Sequence, residues 1–197
     1  MEDWRCVMKK IVCILLLLVI CVMTVSCSGS EVKVPDGMKL ASGSGELYYL
    51  FVPNAWTVKE GSSASAFVSA SDMSNVSVVA YVLQNEVETE GGDEAAAQNP
   101  RAPYIDAFWS EFCADAGKTL IAFDVSDEVI DTQTLGGFYA KQFVYTHTTG
   151  GVEYKHRMAV TYYGEMIIYL LYSSTAENYD SHAADVDNII KEFQFKQ

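Results

Sequence analysis

Basic side chains are scarce: 13 Lys and Arg stand against 26 Asp and Glu in 197 residues, a net charge of −13 with His neutral. So acidic a surface repels phosphate backbones, and the sequence offers no basic stripe or aromatic-and-arginine groove for stacking bases, which excludes nucleic acid as a partner. The same acidity argues against direct docking on anionic lipid. Cysteine is scarce where it would matter for stability. Cys6, Cys13, Cys21 and Cys27 fall near the start and leave Cys113 alone in the rest of the chain, so no disulfide framework is available there and the core must hold the fold. The motifs of common hydrolases are missing too, with no G-x-S-x-G, no H-E-x-x-H and no recognisable catalytic carboxylate pair. No internal repeat is present, and no second long apolar run follows the first.

That first run is the most informative segment. In "KKIVCILLLLVICVMTVSC", Lys9 and Lys10 precede an apolar stretch from Ile11 to Val25, which ends in Ser26 and Cys27. A basic start, an apolar middle of roughly 7–15 residues and a small-residue cleavage site make a secretory signal. A permanent span would need about 20 apolar residues. Met8, directly before the lysines, makes a cleaner start than Met1, because Glu2 and Asp3 put negative charge where a signal wants positive. The end of the run resembles the bacterial lipoprotein signal, whose lipobox closes on a small residue before the cysteine that becomes residue one. Val25 and Ser26 fit that pattern, and Thr24 stands where leucine is more usual. The resemblance implies a signal peptide over 1–26 and a diacylglycerol thioether on Cys27, with or without a third, amide-linked chain such as palmitate. It thus implies a lipid anchor on the extracytoplasmic face of the cell membrane, stable because each buried CH₂ contributes about 0.8 kcal/mol. An uncleaved N-terminal anchor and a plain secreted protein are the alternatives, and each also places the folded part outside the cytoplasm.

Residues 27–44 read as the lipidated cysteine and a small, polar, flexible tether, and 45–197 as one α+β domain. Residues 47–52 form an extended apolar run, turned at Pro53 and Asn54 into a second strand bearing Trp56 and Val58. "SAFVSAS" and "NVSVVAYVLQ" pair as a hairpin. The spacing of Ile105, Phe108, Trp109, Phe112 and Cys113 predicts an amphipathic helix over 103–116. Pro103 stands in its first turn and Gly117 at its exit, and Asp106, Ser110, Glu111 and Asp115 lie on the other side. Five strands follow, with tight turns at Gly136-Gly137, Gly150-Gly151 and Gly164-Glu165, as an antiparallel meander. In "GFYAKQFVYTHT" both alternating faces carry bulky groups, so the sheet is covered on each side. Ala183, Val186, Ile189, Ile190 and Phe193 space a final helix over 180–193 onto it, before a closing strand.

The order "LFVPNAWTV", a hairpin ending "VSVVAYVL", a helix with "FWSEF", a meander, and the ending "MIIYLLYSSTAENYDSHAADVDNIIKEFQF" resembles the PsbP-like group of the Mog1/PsbP fold. Its most specific pieces are the P-x-x-W turn at Pro53 to Trp56 and the strand, turn, helix and Phe-containing strand of the ending. The resemblance implies an α/β/α sandwich, an antiparallel sheet flanked by helices, and a non-enzymatic binding or assembly role. It carries no ligand motif onto these residues.

Candidate chemistry is sparse. Cys113 with His147, His156 or His182 has the parts of a thiol–imidazole nucleophile, whereas a thiol on an apolar helix stripe packs as a small hydrophobe. Glu86, Glu88, Glu90, Asp93 and Glu94 offer oxygens for a weak Ca²⁺ contact without the spacing of an EF-hand; a solvated loop is the plainer reading. His147 and His156 fall on neighbouring strands and face one way, two ligands where zinc usually takes three or four, or else surface polar residues. The aromatics Tyr48, Tyr49, Trp56, Phe108, Trp109, Tyr162, Tyr163, Tyr169 and Tyr172 serve the core or a binding platform. No cofactor is implied. The expectation is a membrane-anchored extracytoplasmic lipoprotein, not an enzyme, with a binding or accessory domain for a protein partner or cell-envelope component. A solute- or metal-binding receptor is the alternative that a pocket with convergent polar groups would favour, and a small envelope hydrolase is the last.

Overall fold

Three two-residue turns place both of their residues at positive φ: Gly136 and Gly137 at 61° and 83°, Gly150 and Gly151 at 61° and 82°, Gly164 and Glu165 at 58° and 63°. That conformation matches the right-handed twist of the strands it joins. In the computed structural model the turns link β8 (Thr134–Leu135), β9 (Phe138–Thr149), β10 (Val152–Tyr163) and β11 (Met166–Thr175) into the expected antiparallel meander. The structure describes residues 32–43, 45–59, 65–67, 72–83, 87, 99–127 and 134–196. Cys27 and the acidic residues Glu86, Glu88, Glu90, Asp93 and Glu94 lie outside them, as does the whole of 128–133, which reads as the start of a strand. The chain divides into two compact units, Met1–Lys33 and Val34–Gln197, and the elements below belong to the second.

The far edge of β11 takes β6 (Asn75–Tyr81), followed by β5 (Ser65–Phe67) and β4 (Thr57–Lys59), so the expected hairpin forms. β7 (Ile121–Val125) joins the outer edge of β9. The result, among the described residues, is an eight-stranded sheet in the order β4-β5-β6-β11-β10-β9-β7, with β8 also on β9. Alternation along β10 and β11 sends Met158, Val160 and Ile167 to one face and Ala159, Ile168 and Leu170 to the other, all buried.

The first face is covered by α1 (Ala102–Thr119), which lays Ile105 and Phe108 on Met158, Val160 and Ile167. Pro103 stands in the first turn, where its missing N–H costs nothing. The expected exit at Gly117 is wrong. The helix runs through Gly117 and ends at Leu120, whose backbone N–H donates to the Ala116 carbonyl at 2.8 Å. A glycine tolerated inside a helix costs only about 1 kcal/mol, and Thr119 Oγ1 donating to the Asp115 carbonyl at 2.9 Å supports the extra turn.

The second face is covered from both ends of the domain. A short 3₁₀ turn, Tyr179–His182, leads into α2 (Ala183–Glu192), which buries Val186, Ile189 and Ile190 on the sheet as its spacing requires. Beside it lie Tyr48, Leu50 and Val52. Residues 47–52 do not form one strand. β2 (Tyr48–Tyr49) pairs with the C-terminal β12 (Gln194–Phe195), and β3 (Phe51–Pro53) pairs with β1 (Met38–Leu40). β1 is also a correction to the flexible tether read over 27–44: Met38 and Ala41 pack against the core, Ala41 N–H donates to the Leu50 carbonyl at 2.7 Å, and Leu50 N–H donates to Ser42 Oγ at 3.0 Å.

The P-x-x-W segment acts as a latch between these parts. Trp56 N–H closes the turn on the Pro53 carbonyl at 2.9 Å, and its buried indole Nε1–H donates to Asp185 Oδ2 of α2 at 2.9 Å. On the same face Arg157, buried, donates to Gln142 Oε1 and to Asp187 Oδ1 of α2 at 2.7 Å, so its charge is paired.

The glycine turns give a graded test. A Cβ on Gly150 meets open space, whereas one on Gly136 would stand 2.5 Å from Phe195 Cδ2. Gly150→Ala is expected to cost about 1 kcal/mol from positive φ alone, and Gly136→Ala at least about 1 kcal/mol more from the overpacked ring. Denaturant unfolding of the two variants side by side checks the order.

Candidate functional site

A cleft opens where α1 rides over the end of β6 and the middle of β11. It measures about 320 Å³ and is lined by Tyr81, Phe108, Glu111, Phe112, Asp115, Ala116, Thr119, Leu120 and Tyr169. The helical residues recur at three- and four-residue intervals, which stacks them on one side of α1. Phe108 forms the floor, its ring centroid 5.4 Å from Tyr81 and 5.3 Å from Tyr169. Glu111 and Asp115 stand on the rim of this apolar slot. The Tyr81 hydroxyl donates to Glu111 Oε1 at 2.8 Å, and this bond, ahead of burial, raises the phenol's pKa. Asp115 Oδ1 takes Lys118 Nζ at 3.2 Å, with both side chains largely exposed.

Sequence reasoning missed this site. It named Phe108 and Tyr169 among the aromatics and Phe112 on the helix stripe, but set Glu111 and Asp115 on the opposite side of the helix. At 3.6 residues per turn Glu111 lies only about 60° around from Phe108 and about 40° from Asp115, so the two carboxylates border the apolar stripe. The alternation of Phe108, Glu111, Phe112 and Asp115 along one strip was the available signal. Tyr81 carried none, because its pairing with Ile167 at the end of β6 is what brings it to the slot.

The two histidines of the hairpin do meet. His156 Nε2 and His147 Nδ1 are 2.9 Å apart, with ring centroids at 4.9 Å, and His156 Nδ1 lies 2.8 Å from Ser173 Oγ. The reading of both as surface residues fails for His156, which is buried and stacked on Tyr145 at 4.6 Å. Burial first, and the neighbouring His147 second, push its pKa down to about 4. Among the described residues no group of three or more His, Cys, Asp or Glu side chains stands where a metal could be held.

His182 lies elsewhere. Its Nε2 is 3.0 Å from Asp72 Oδ2, and its ring meets Trp56 edge-on at 5.9 Å. The Ser74 hydroxyl donates to Asp72 Oδ1 and so accepts from Ser174 Oγ at 2.8 Å. The Ser74 bond, more than His182, holds the Asp72 carboxyl below its ordinary pKa, although burial opposes it. This is not a hydrolytic triad: the carboxylate stands between serine and imidazole, so the imidazole has no serine proton to take. Cys113 is half-buried on α1, and burial raises its thiol pKa, the opposite of what a nucleophile needs.

Of the aromatics, Tyr48, Trp56, Phe108 and Tyr172 are buried. Tyr49, Trp109, Tyr162 and Tyr163 are half-buried in ring pairs, with Trp109 on Phe143 and Tyr162 on Tyr104 at 4.0 Å and Tyr163 on Phe195 at 3.9 Å. Only Phe108 and Tyr169 of the nine reach the cleft.

No protein-family model matches the chain, and no curated protein matches it. Solved structures do resemble it. LpqN of Mycobacterium tuberculosis, described as involved in cell envelope biogenesis, aligns at 15% identity over 85% of this chain and 83% of that one, with a TM-score of 0.48. Cyanobacterial PsbP (CyanoP) from Synechocystis sp. PCC 6803 aligns at 19% identity over 88% of this chain and 99% of that one, with a TM-score of 0.44. The α+β arrangement of an antiparallel sheet with a helix on each face is read from this chain's own elements. Among the described residues no helix is long and apolar enough to cross a membrane.

The buried histidine gives a pH signature. His156 stays neutral in the fold down to about 4, while the unfolded chain takes up the same proton near 6.5. Between those values the unfolded state binds more protons, so stability is full above about pH 6.5 and falls as pH drops, by about 3 kcal/mol in all. His156→Phe keeps a stacked ring and is expected to remove that part of the slope, measured as thermal midpoints at about pH 7 and about pH 4.5.

Proposed function

We propose that this protein is a non-catalytic binding domain, held on the extracytoplasmic face of the membrane by lipid on Cys27, that engages a component of the cell envelope through the cleft beside α1. The observation that carries the reading is the cleft itself, with aromatic rings from three elements at its base and carboxylates at its rim. Apolar walls with a few convergent polar groups are what a binding site needs. The lipid anchor is supported by the lipobox-like "VSC" and by the acidic surface, which leaves membrane association to the acyl chains. The non-catalytic reading is supported by what the reactive side chains do. His156 is buried between His147 and Ser173, His182 is bound to Asp72, and the Cys113 thiol is raised.

Two variants test the proposal. Cys27→Ala is expected to move the protein from the membrane fraction to the soluble one. Thr119→Trp, at an exposed position on the cleft wall, is expected to leave anchoring and the folded state intact, with at most a small drop in melting temperature, but to abolish crosslinking to envelope material in intact cells. A crosslink pattern that survives Thr119→Trp would remove the cleft from the function.

A further inference from the structure

We infer that the cleft selects a small organic cation, a primary or quaternary ammonium carried on an apolar body. The inference rests on the reading of the cleft as the binding site and names the chemistry of what enters it. Its volume of about 320 Å³ sits at the lower end of small-molecule sites and suits an aromatic or short branched amine. The base is aromatic: Phe108 packs against Tyr81 and Tyr169, with Phe112 at 6.2 Å from Phe108, and all four rings line the slot. Such rings are attractive to a cation because their faces are negative, and more so where water is thinned out. Among the described residues no basic side chain lines the slot, and the two charged groups that do are both carboxylates.

Those carboxylates are available. Tyr81 takes one oxygen of Glu111 and leaves the other, because a carboxylate has room for more than one donor. The partner of Asp115 is Lys118, in a pair more than 70% exposed on both sides, with side chains at 72% and 73%. Exposed pairs of this kind contribute little and exchange readily. An ammonium entering the slot would thus meet aromatic rings at the base and carboxylate oxygens at the mouth. An anion would meet repulsion there, compounded by a net charge of −13. A neutral molecule of the same shape would gain only the apolar contact.

The full chain in nonionic detergent is titrated by calorimetry with phenethylammonium, 2-phenylethanol and 3-phenylpropionate, three probes alike in body and different in charge. The ammonium is expected to bind at least tenfold more tightly than the alcohol, and the carboxylate not at all. Glu111→Gln combined with Asp115→Asn is expected to bring the ammonium down to the affinity of the alcohol while leaving the alcohol unchanged. Equal affinity of ammonium and alcohol in the parent protein would overturn cation selection and leave the cleft standing as an apolar site. Envelope crosslinks lost in Thr119→Trp, without any ammonium binding, would overturn it in favour of a macromolecular occupant. Binding of none of the probes, with crosslinks that survive Thr119→Trp, would remove both this inference and the cleft function beneath it.

Discussion

The central strands cannot leave either face to water. On β10 and β11, Met158, Val160 and Ile167 point one way and Ala159, Ile168 and Leu170 the other, each at most 1% exposed. Exposing a large aliphatic side chain forfeits about 1.5–3 kcal/mol, so a sheet with this sequence needs a cover on both sides. The chain meets the need in two different ways. One cover is a single long helix from the middle of the sequence. The other is assembled from both ends of the domain, with β1 to β3 on one flank and α2 with β12 on the other.

That difference shapes the candidate site. A straight helix laid across a twisted sheet diverges from it toward one end, and the slot lined by Phe108, Phe112 and Tyr169 opens beside the C-terminal half of α1. The composite cover has no such freedom, because its pieces are cross-tied. Trp56 reaches Asp185, Arg157 reaches Asp187, and Lys196 N–H reaches the Leu47 carbonyl at 2.9 Å. The polar groups on the composite side therefore hold parts together, and those on the α1 side at Glu111 and Asp115 face the slot.

Much of this architecture was legible because its signals are local. Paired glycines announce turns that only positive φ can make, and the stripes of α1 and α2 are read directly from their spacing. The failures share a cause in distant contacts. Residues 47–52 look like one strand because every side chain is apolar, but the pairing of Tyr48 and Tyr49 is decided by Gln194 and Phe195, far along the chain. Lys39 and Leu40 look like tether because nothing beside them reveals that Val52 and Phe51 will pair with them. His156 reads as a surface residue by alternation, yet its face turns out to be the covered one, with Ser173 and His147 supplied by the strands on either side. Glu111 and Asp115 were visible as polar residues, but not as the border of a slot whose far wall comes from Tyr81 and Tyr169.

The latch between Trp56 and Asp185 joins residues 129 apart, whereas the meander closes across turns of two residues. Bringing together ends so widely separated costs on the order of 3–4 kcal/mol more in chain entropy than closing a tight hairpin. Short-range pairing is also the faster step. The three-stranded core of β9 to β11 is therefore the piece able to form while the flanks are still unorganised, and the composite cover is the piece that waits for both flanks. Until Trp56 closes onto Asp185 the sheet keeps one face bare to water, and that closure marks the completion of the fold.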